Sequence, residues 1–249
     1  MKAFAQQTIR PHWFDSGTCT FLLEEMQRHN TQILQLDGSK AGADAFDQPV
    51  EEMVDALPLV YQTGYMTIKG YDNLIMTYTL GIPNNEVRTG LMKNILPMMS
   101  GTAAPDNNSY ATNFLASLRE CRYDEAMTYL RAFLSSIPYL QQGEAKLKDL
   151  ERLEVLYQNY LYVFFSGMGY QVRTEPHIAT GRVDLVLWIG SHIFVFEFKM
   201  NQTCESALAQ MDTHRYIEPW HCGDTRITKC AARFSAKERT LVEWKFVEV

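Results

Sequence analysis

Three ionisable residues, Asp184, Glu197 and Lys199, stand on two alternating segments that a short turn joins. The segments form residues 181–200, GRVDLVLWIGSHIFVFEFKM, in which Gly190-Ser191 is typical of a two-residue hairpin turn. Pairing that continues outward from such a turn sets Asp184 opposite Glu197. Directly opposed side chains have Cβ atoms about 4.5 to 5.5 Å apart, and like charges so placed are destabilising. The sequence therefore forces two carboxylates together.

Two adjacent carboxylates suit two kinds of chemistry. Either the pKa of one carboxyl rises, or the pair holds a divalent cation, for which oxygen ligands favour Mg²⁺ or Mn²⁺. The period of two puts Lys199 on the same face as Glu197, with Phe196 and Phe198 on the other. A lysine beside a metal can hold or polarise an attacking water, or stabilise charge that develops on a phosphate. A metal is the more economical account, and the set then fits phosphodiester hydrolysis.

These residues also have structural interpretations. A solvated sheet face with a cross-strand lysine–carboxylate pair would explain Lys199, although the neighbours Val186 and Val195 on that face are apolar. Glu154 lies within the apolar stripe of a predicted helix. It would either reach the metal site, directly or through water, or form a buried ion pair with an arginine such as Arg182.

The elements that must position these residues fall into two parts. Residues 143–249 predict an α/β domain with the order α-β-β-β-α-β, beginning with a long helix from about Glu144 to Phe165. Residues 1–142 predict a mostly helical, winged-helix-like module with a β-hairpin. The hairpin strands are expected at Tyr65–Lys69 and Leu74–Leu80. Apolar periodicity predicts helices in Phe21–His29, Pro49–Gln62, Asn84–Met99, Tyr110–Glu120, Asp124–Ser136 and Cys204–Ile217.

Composition excludes several classes of protein. With 249 residues, 46% apolar and 21% charged, the chain is neither disordered nor fibrous. It contains no run of about 18 apolar residues and no signal-peptide pattern at its start, so we expect a cytoplasmic protein without a membrane partner. Five scattered cysteines without a CxxC pair predict neither disulfides nor a zinc site.

The formal net charge of −6 argues against a nucleic-acid partner, because phosphate binding usually leaves a basic footprint. Residues 1–150 hold 12 basic against 17 acidic residues, and residues 151–249 hold 11 against 12. The acidity is thus concentrated in the first part. A local basic surface in the second part depends on the placement of Arg173, Arg182, Arg215, Arg226, Lys229, Arg233, Lys237 and Arg239.

Asp184 followed by Glu197-Phe198-Lys199 resembles the site of the PD-(D/E)XK nuclease superfamily, a restriction-endonuclease-like fold. More narrowly, Glu154 with Tyr157, the segments GRVDLVL and FEFK, and ALAQMDTHRY (207–216) resemble the nuclease domain behind an AAA-ATPase-like domain in many bacterial proteins. The resemblance implies that Asp184 and Glu197 bind metal, that Lys199 is catalytic, and that Gln210 lies near the site. The carbonyl of Phe198 is a further expected ligand. The proline that usually precedes the aspartate is Val183 here.

The first part resembles the carboxyl-terminal portion of that AAA-ATPase-like region. The resemblance rests on HWFDSGTCTFLL (12–23), YQTGYMTIKGYD (61–72) and YTLGIPNNEVR (78–88). No GxxxxGKS/T phosphate loop occurs, and Gly38-Ser39-Lys40 alone does not make one, so we expect no ATP hydrolysis by this chain.

The expected activity is metal-dependent hydrolysis of nucleic acid, with DNA as the expected substrate. The alternative is a non-catalytic module, derived from an ATPase–nuclease protein, that binds protein or nucleic acid. For Gln210 and Tyr216, helix packing and ordinary capping explain the residue types as well as a role at the site does. The sequence leaves open whether the substrate is DNA or RNA. It also leaves open whether the protein forms a homodimer and whether the chain is a natural truncation.

Overall fold

The computed structural model describes residues 18–29, 31, 33–47, 55–100, 104–137, 150–174, 176–178, 181–221, 223 and 225–249. The chain divides into two compact units, Met1–Met98 and Met99–Val249. The predicted domain boundary at residue 142 falls in 138–149, outside the described residues. The predicted division into 1–142 and 143–249 rests on the polar stretch SSIPYLQQG (135–143), which contains proline and glycine, and stays a prediction. In the described ranges, no helix is both long and apolar enough to cross a membrane.

The first unit combines helices with a small antiparallel sheet of order β1-β3-β2. Its elements are α1 (Thr18–Arg28), β1 (Lys40–Ala41), α2 (Leu57–Gln62), β2 (Thr67–Asp72), β3 (Thr77–Gly81) and α3 (Asn85–Ser100), the last running past the end of the unit. The predicted hairpin is present as β2 and β3. Of the helix predicted from Pro49, residues 49–54 lie outside the described ranges. The winged-helix class of this module stays a prediction.

The hairpin turn lies three residues further along the chain than the sequence predicts. The second strand begins at Thr77, which pairs with Asp72, and not at Leu74. The Asp72 carboxylate accepts a hydrogen bond from the Leu74 amide at 2.9 Å, and Met76 takes a φ of 52°. Apolar residue types predicted a strand here, but the bond to the Asp72 side chain favours a turn over a ladder.

The second unit is a mixed α/β structure. Its sheet has the order β10-β9-β8-β7-β4, with β8 and β9 parallel and the other neighbours antiparallel. Its elements are α4 (Ala104–Arg119), α5 (Tyr123–Ser136), α6 (Leu150–Gly167), β4 (Gln171–Thr174), β5 (His177–Ile178), β6 (Gly181–Arg182), β7 (Leu185–Ile189), β8 (His192–Met200), α7 (Cys204–Thr213), β9 (Arg226–Ser235) and β10 (Thr240–Glu248). The predicted order is found as α6-β4-β7-β8-α7-β9. A two-residue pair, β5 with β6, is an addition too short to show in any periodicity.

The two faces of the sheet pack against different helices. On one face, Phe196 lies 6.4 Å from the ring of Phe165 in α6, and Tyr157 of α6 stacks on Phe234 of β9 at 4.3 Å. Burial raises the pKa of Tyr157 to about 12, so its phenol stays neutral and packs as an aromatic ring. The other face carries Val195 and is covered by α7. A central strand buried on both faces explains why β8 is apolar at nearly every position.

Two helix ends differ from the sequence expectation. Residues 144–149 of the predicted long helix lie outside the described ranges, and α6 continues to Gly167. Helix α7 ends at Thr213 and not at Ile217, because Arg215 adopts a φ of 51° and a short 3-10 turn with Pro219 follows. The left-handed backbone of Arg215 interrupts the right-handed helix, and Pro219 stands in the first turn of the 3-10 helix that follows, where a proline is tolerated.

Glu248 holds the end of β10 to its neighbours. Its carboxylate accepts a hydrogen bond from Arg226 at 2.6 Å and another from the Tyr123 hydroxyl of α5. These bonds, the one from Arg226 first, hold the pKa of Glu248 below its ordinary value. A depressed carboxyl pKa stabilises the fold above the ordinary pKa, and this stabilisation is lost as the pH falls through the folded value.

We expect Glu248→Gln to lower the free energy of unfolding at pH 7 by less than about 1 kcal/mol, because water screens this exposed pair. The deficit should vanish at an acidic pH below the lowered pKa of Glu248, where the carboxyl of the parent protein has itself lost its charge. Urea unfolding at both pH values measures the difference. Glu238→Gln, at an exposed position, is the control. A deficit of equal size at both pH values would contradict the argument.

Candidate nuclease site

The β7–β8 hairpin brings the two predicted carboxylates to one place. Ile189 pairs with His192 across the Gly190-Ser191 turn, which confirms the predicted register. Gly190 takes a φ of 61°, a conformation that glycine adopts without steric cost. The ladder ends at Leu185 opposite Phe196, so the next pair outward, Asp184 and Glu197, stands at the end of the paired region.

Asp184 is fixed to the strand that carries Glu197. Its Oδ2 accepts a hydrogen bond from the Phe198 amide at 2.7 Å. Asp184 is 9% exposed and Glu197 only 2%. The preceding Val183, at the position where the superfamily usually has proline, is fully buried. Both carboxylates therefore lie at the rim of the core and are positioned by the backbone of β8.

Lys199 joins the strand to helix α7. Its Nζ donates to Glu197 Oε1 at 2.9 Å and to Gln210 Oε1 at 2.5 Å. The Lys199 side chain is 15% exposed, so its ammonium lies close to the carboxylate with little screening by water. Asp184, Glu197, Lys199 and Gln210 are thus brought together by one hairpin and one helix.

Gln210 is held in turn by Tyr216. The Gln210 side-chain amide donates to the Tyr216 hydroxyl at 3.0 Å, and Tyr216 is 3% exposed. The His214 ring stacks on Tyr216 with centroids 5.6 Å apart. The sequence indicated Gln210 and Tyr216 as candidate site residues but not their hydrogen-bond partners. The structure shows a continuous chain of hydrogen bonds from Glu197 through Lys199 and Gln210 to Tyr216.

Glu154 lies in α6, on the helix that packs against the face opposite Glu197. Its side chain is outside the described residues. Its predicted role at a second metal or its water shell, and the alternative pair with Arg182, both stay predictions.

The charges of the site fit a divalent cation. Asp184 and Glu197 bring two negative charges to a nearly buried position, and Lys199 brings one positive charge. Oε2 of Glu197 is buried. Burying net negative charge is costly, and a hard cation with oxygen ligands would balance it. Among the described residues, no group of three or more His, Cys, Asp or Glu side chains forms a metal cluster.

Comparisons with known proteins find a relative and a family model. An uncharacterized protein encoded in the vnfD 5′ region of Azotobacter chroococcum mcd 1 is 26% identical over 250 residues, which cover 96% of this chain and 46% of that protein. The chain therefore spans about half the length of this relative. No solved structure matches the chain. Residues 152–244, which include the hairpin and α7, match the model of the PD-(D/E)XK nuclease superfamily, and over this range the chain carries a domain of that superfamily, as its sequence predicts.

Proposed function

We propose that the chain hydrolyses phosphodiester bonds of nucleic acid, with DNA as the first substrate to test, in a reaction that depends on Mg²⁺ or Mn²⁺. The observation that carries the proposal is that Asp184, Glu197 and Lys199 stand together at the end of the β7–β8 ladder, where the Phe198 amide donates to Asp184 and Lys199 donates to Glu197. This cluster lies inside the range that matches the nuclease superfamily.

Asp184, Glu197 and the carbonyl of Phe198 would hold the cation. When bound, Mg²⁺ supplies a Lewis acid that polarises a phosphate oxygen and lowers the pKa of a bound water. The two carboxylates anchor the position of that charge, and the bond from the Phe198 amide keeps Asp184 from rotating away. Water attacks phosphorus, the P–O bond to the leaving oxygen breaks, and the proton of the water ends on the leaving group or solvent.

Lys199 would orient the attacking water or stabilise the negative charge that develops on the phosphate oxygens. Its ammonium has three donors, and the contacts to Glu197 and Gln210 use two of them. Gln210 fixes the direction of the lysine side chain, because its amide is itself held by Tyr216. We therefore treat Gln210 as a positioning residue.

A cleavage assay on single-stranded DNA, duplex DNA and RNA tests the proposal. We expect cleavage with Mg²⁺ or Mn²⁺ and none with EDTA. The same assay gives the substrate preference, which the geometry leaves open. If none of the three substrates is cleaved at any divalent-ion concentration, the proposed activity is wrong.

The alternative function is a non-catalytic binding module, and the contact between Lys199 and Glu197 favours it, because the lysine can neutralise the glutamate without a metal. Metal binding separates the two functions. A crystal soaked with Mn²⁺ should show the ion between Asp184 and Glu197 if the chain is an enzyme. A lysine that keeps its salt bridge beside an empty site in that crystal would favour the module.

We further propose that residues 1–142 derive from the carboxyl-terminal part of an AAA-ATPase-like region and that this chain does not hydrolyse ATP. Gly38 takes a φ of 92° and Lys40 lies in the two-residue strand β1, so this GSK segment does not open a helix as a phosphate loop does. As part of the same proposal, the protein is located in the cytoplasm and forms a homodimer.

Removing the amide of Gln210 should slow cleavage without weakening metal binding. We expect Gln210→Ala to lower kcat roughly ten-fold, because the Lys199 ammonium loses a partner that fixes its direction. Metal affinity, measured by calorimetric titration, should stay within about two-fold, since neither carboxylate loses a bond. Gln62→Ala, which removes an exposed amide that donates to the Phe46 carbonyl in the first unit, is the control. A loss of metal affinity equal to the loss of rate would contradict the positioning role.

A further inference from the structure

A second cation lies on the same face of the sheet as the carboxylates. Arg173 of β4 pairs with Val186, and Val186 pairs with Val195, two residues before Glu197. Directly opposed residues in an antiparallel sheet share a face. Two residues along a strand at about 3.4 Å each and one strand spacing of about 4.8 Å put the Cα atoms of Arg173 and Asp184 roughly 8 Å apart.

The guanidinium of Arg173 is held in place by an aromatic ring. Its Cζ lies 5.7 Å from the ring centroid of Trp188, and Trp188 is partly buried against Trp220, whose ring centroid is 6.3 Å away. Arg173 itself is exposed. A guanidinium that lies over a ring at this cation–π distance can still present its N–H donors to a phosphate, for which bidentate contact suits its planar geometry.

Several other basic residues of the domain are already committed to ion pairs. Arg226 pairs with Glu248 at 2.6 Å, Lys229 with Asp212 at 2.6 Å, and Arg233 with Glu243 at 2.7 Å. Each of these basic side chains attracts a phosphate less strongly, because a carboxylate already neutralises its charge. Fewer of the eight basic residues that the sequence offers in this domain are therefore available to bind phosphate. Arg173 is a strong remaining candidate for a phosphate contact, because it is exposed and lies on the face of the carboxylates.

We propose that Arg173, positioned by Trp188, contacts a phosphate of the nucleic-acid backbone on the β4 side of the one that is cleaved. The inference rests on the proposed function and adds the path of the substrate, which runs from the carboxylates toward the β4 edge. Its contribution is sequence-independent, because a phosphate contact reads charge and not bases.

The chain contains a matched control for this arginine. Arg131 of α5 is also exposed and also lies over a tryptophan, 5.3 Å from the ring centroid of Trp244. Trp244 pairs with Ala232, which is in register with Phe198, on the opposite face of the sheet. Arg131→Gln and Arg173→Gln thus remove the same charge from the same kind of contact, on opposite faces.

The test compares these variants in two assays across a series of salt concentrations. Cleavage is measured with the active site intact, and binding of labelled DNA and RNA oligonucleotides is measured in the Glu197→Gln background. We expect Arg173→Gln to weaken binding about five-fold at low salt and to reduce the slope of log affinity on log salt by about 0.7 to 0.9. Arg173→Lys should keep the slope, because it keeps the charge. Arg131→Gln should match its parent.

Equal salt slopes for Arg173→Gln and Arg131→Gln would overturn the inference while leaving the nuclease intact, provided that the parent protein cleaves. A parent that neither cleaves nor binds any nucleic acid would overturn the proposed function and this inference together. Equal thermal midpoints for the two variants would show that a change in slope does not arise from unfolding.

Discussion

Asp184→Asn should abolish metal-dependent cleavage while leaving the protein folded. We expect the rate to fall at least about 10²-fold, because the variant loses one of the two charged metal ligands and with it most of the electrostatic stabilisation of the transition state. Asparagine keeps an acceptor oxygen, so the 2.7 Å bond from the Phe198 amide can persist. Thermal stability in EDTA should stay equal or rise, since Glu197 no longer lies beside a like charge.

Asp124→Asn is the matched control for this substitution. Asp124 lies in α5 and accepts a hydrogen bond from the Trp244 indole at 2.8 Å, so it also exchanges a carboxylate for an amide at a bonded position. We expect its cleavage rate to equal that of the parent. Full Mg²⁺-dependent cleavage by Asp184→Asn would show that the site is assigned to the wrong residue. A large drop in its melting temperature in EDTA would show that Asp184 serves mainly to stabilise the fold.

The part of the site formed by the hairpin could be predicted because a short turn allows few pairing registers for the two strands. A slip of one residue in the pairing of β7 with β8 would turn the side chains of one strand to the other face of the sheet, so that Asp184 and Glu197 would no longer share a face. Gly190 fixes the turn, and the turn fixes the pairing. The relative positions of Asp184 and Glu197 then follow from counting residues outward.

The contact of Lys199 with Gln210 could not be predicted in this way. It joins a strand to a helix, and the offset between them depends on how Ala207 and Met211 pack on the sheet. Periodicity shows which side of a helix is apolar but not how far the helix slides along a strand. Resemblance indicated that Gln210 lies near the site, and the structure identified its partners.

The turn at Leu74 and the end of α7 show a second limit. In both places the residue types favour a strand or a helix for several residues beyond the point where the backbone leaves that element. The Leu74 amide donates to the Asp72 carboxylate, and this bond favours a turn over a strand; after Thr213 the left-handed backbone of Arg215 ends the helix. Such local backbone states carry little signal in the residue types themselves, because neither Met76 nor Arg215 is a residue that favours positive φ.

Lys199→Met should separate the catalytic function from the binding-module alternative more sharply than any other substitution. The Glu197 side chain is 3% exposed, and the variant removes the cation that lies 2.9 Å from it. Breaking a nearly buried pair on one side costs about 3 kcal/mol, so in EDTA we expect a clear loss of stability. Cleavage should fall at least about 10²-fold, because the donor for the water or the phosphate oxygens is gone.

Addition of Mn²⁺ should restore much of that lost stability, because the ion replaces the missing positive charge and binds only the folded protein. The rate should not recover, since the ion cannot supply the lysine's hydrogen bonds. Melting temperatures with EDTA and with Mn²⁺, beside Lys245→Met as the control for an exposed lysine paired with Glu205, measure both effects. If Mn²⁺ fails to stabilise either the parent or the variant, Lys199 neutralises Glu197 permanently, and the cluster is a structural ion pair of a non-catalytic module.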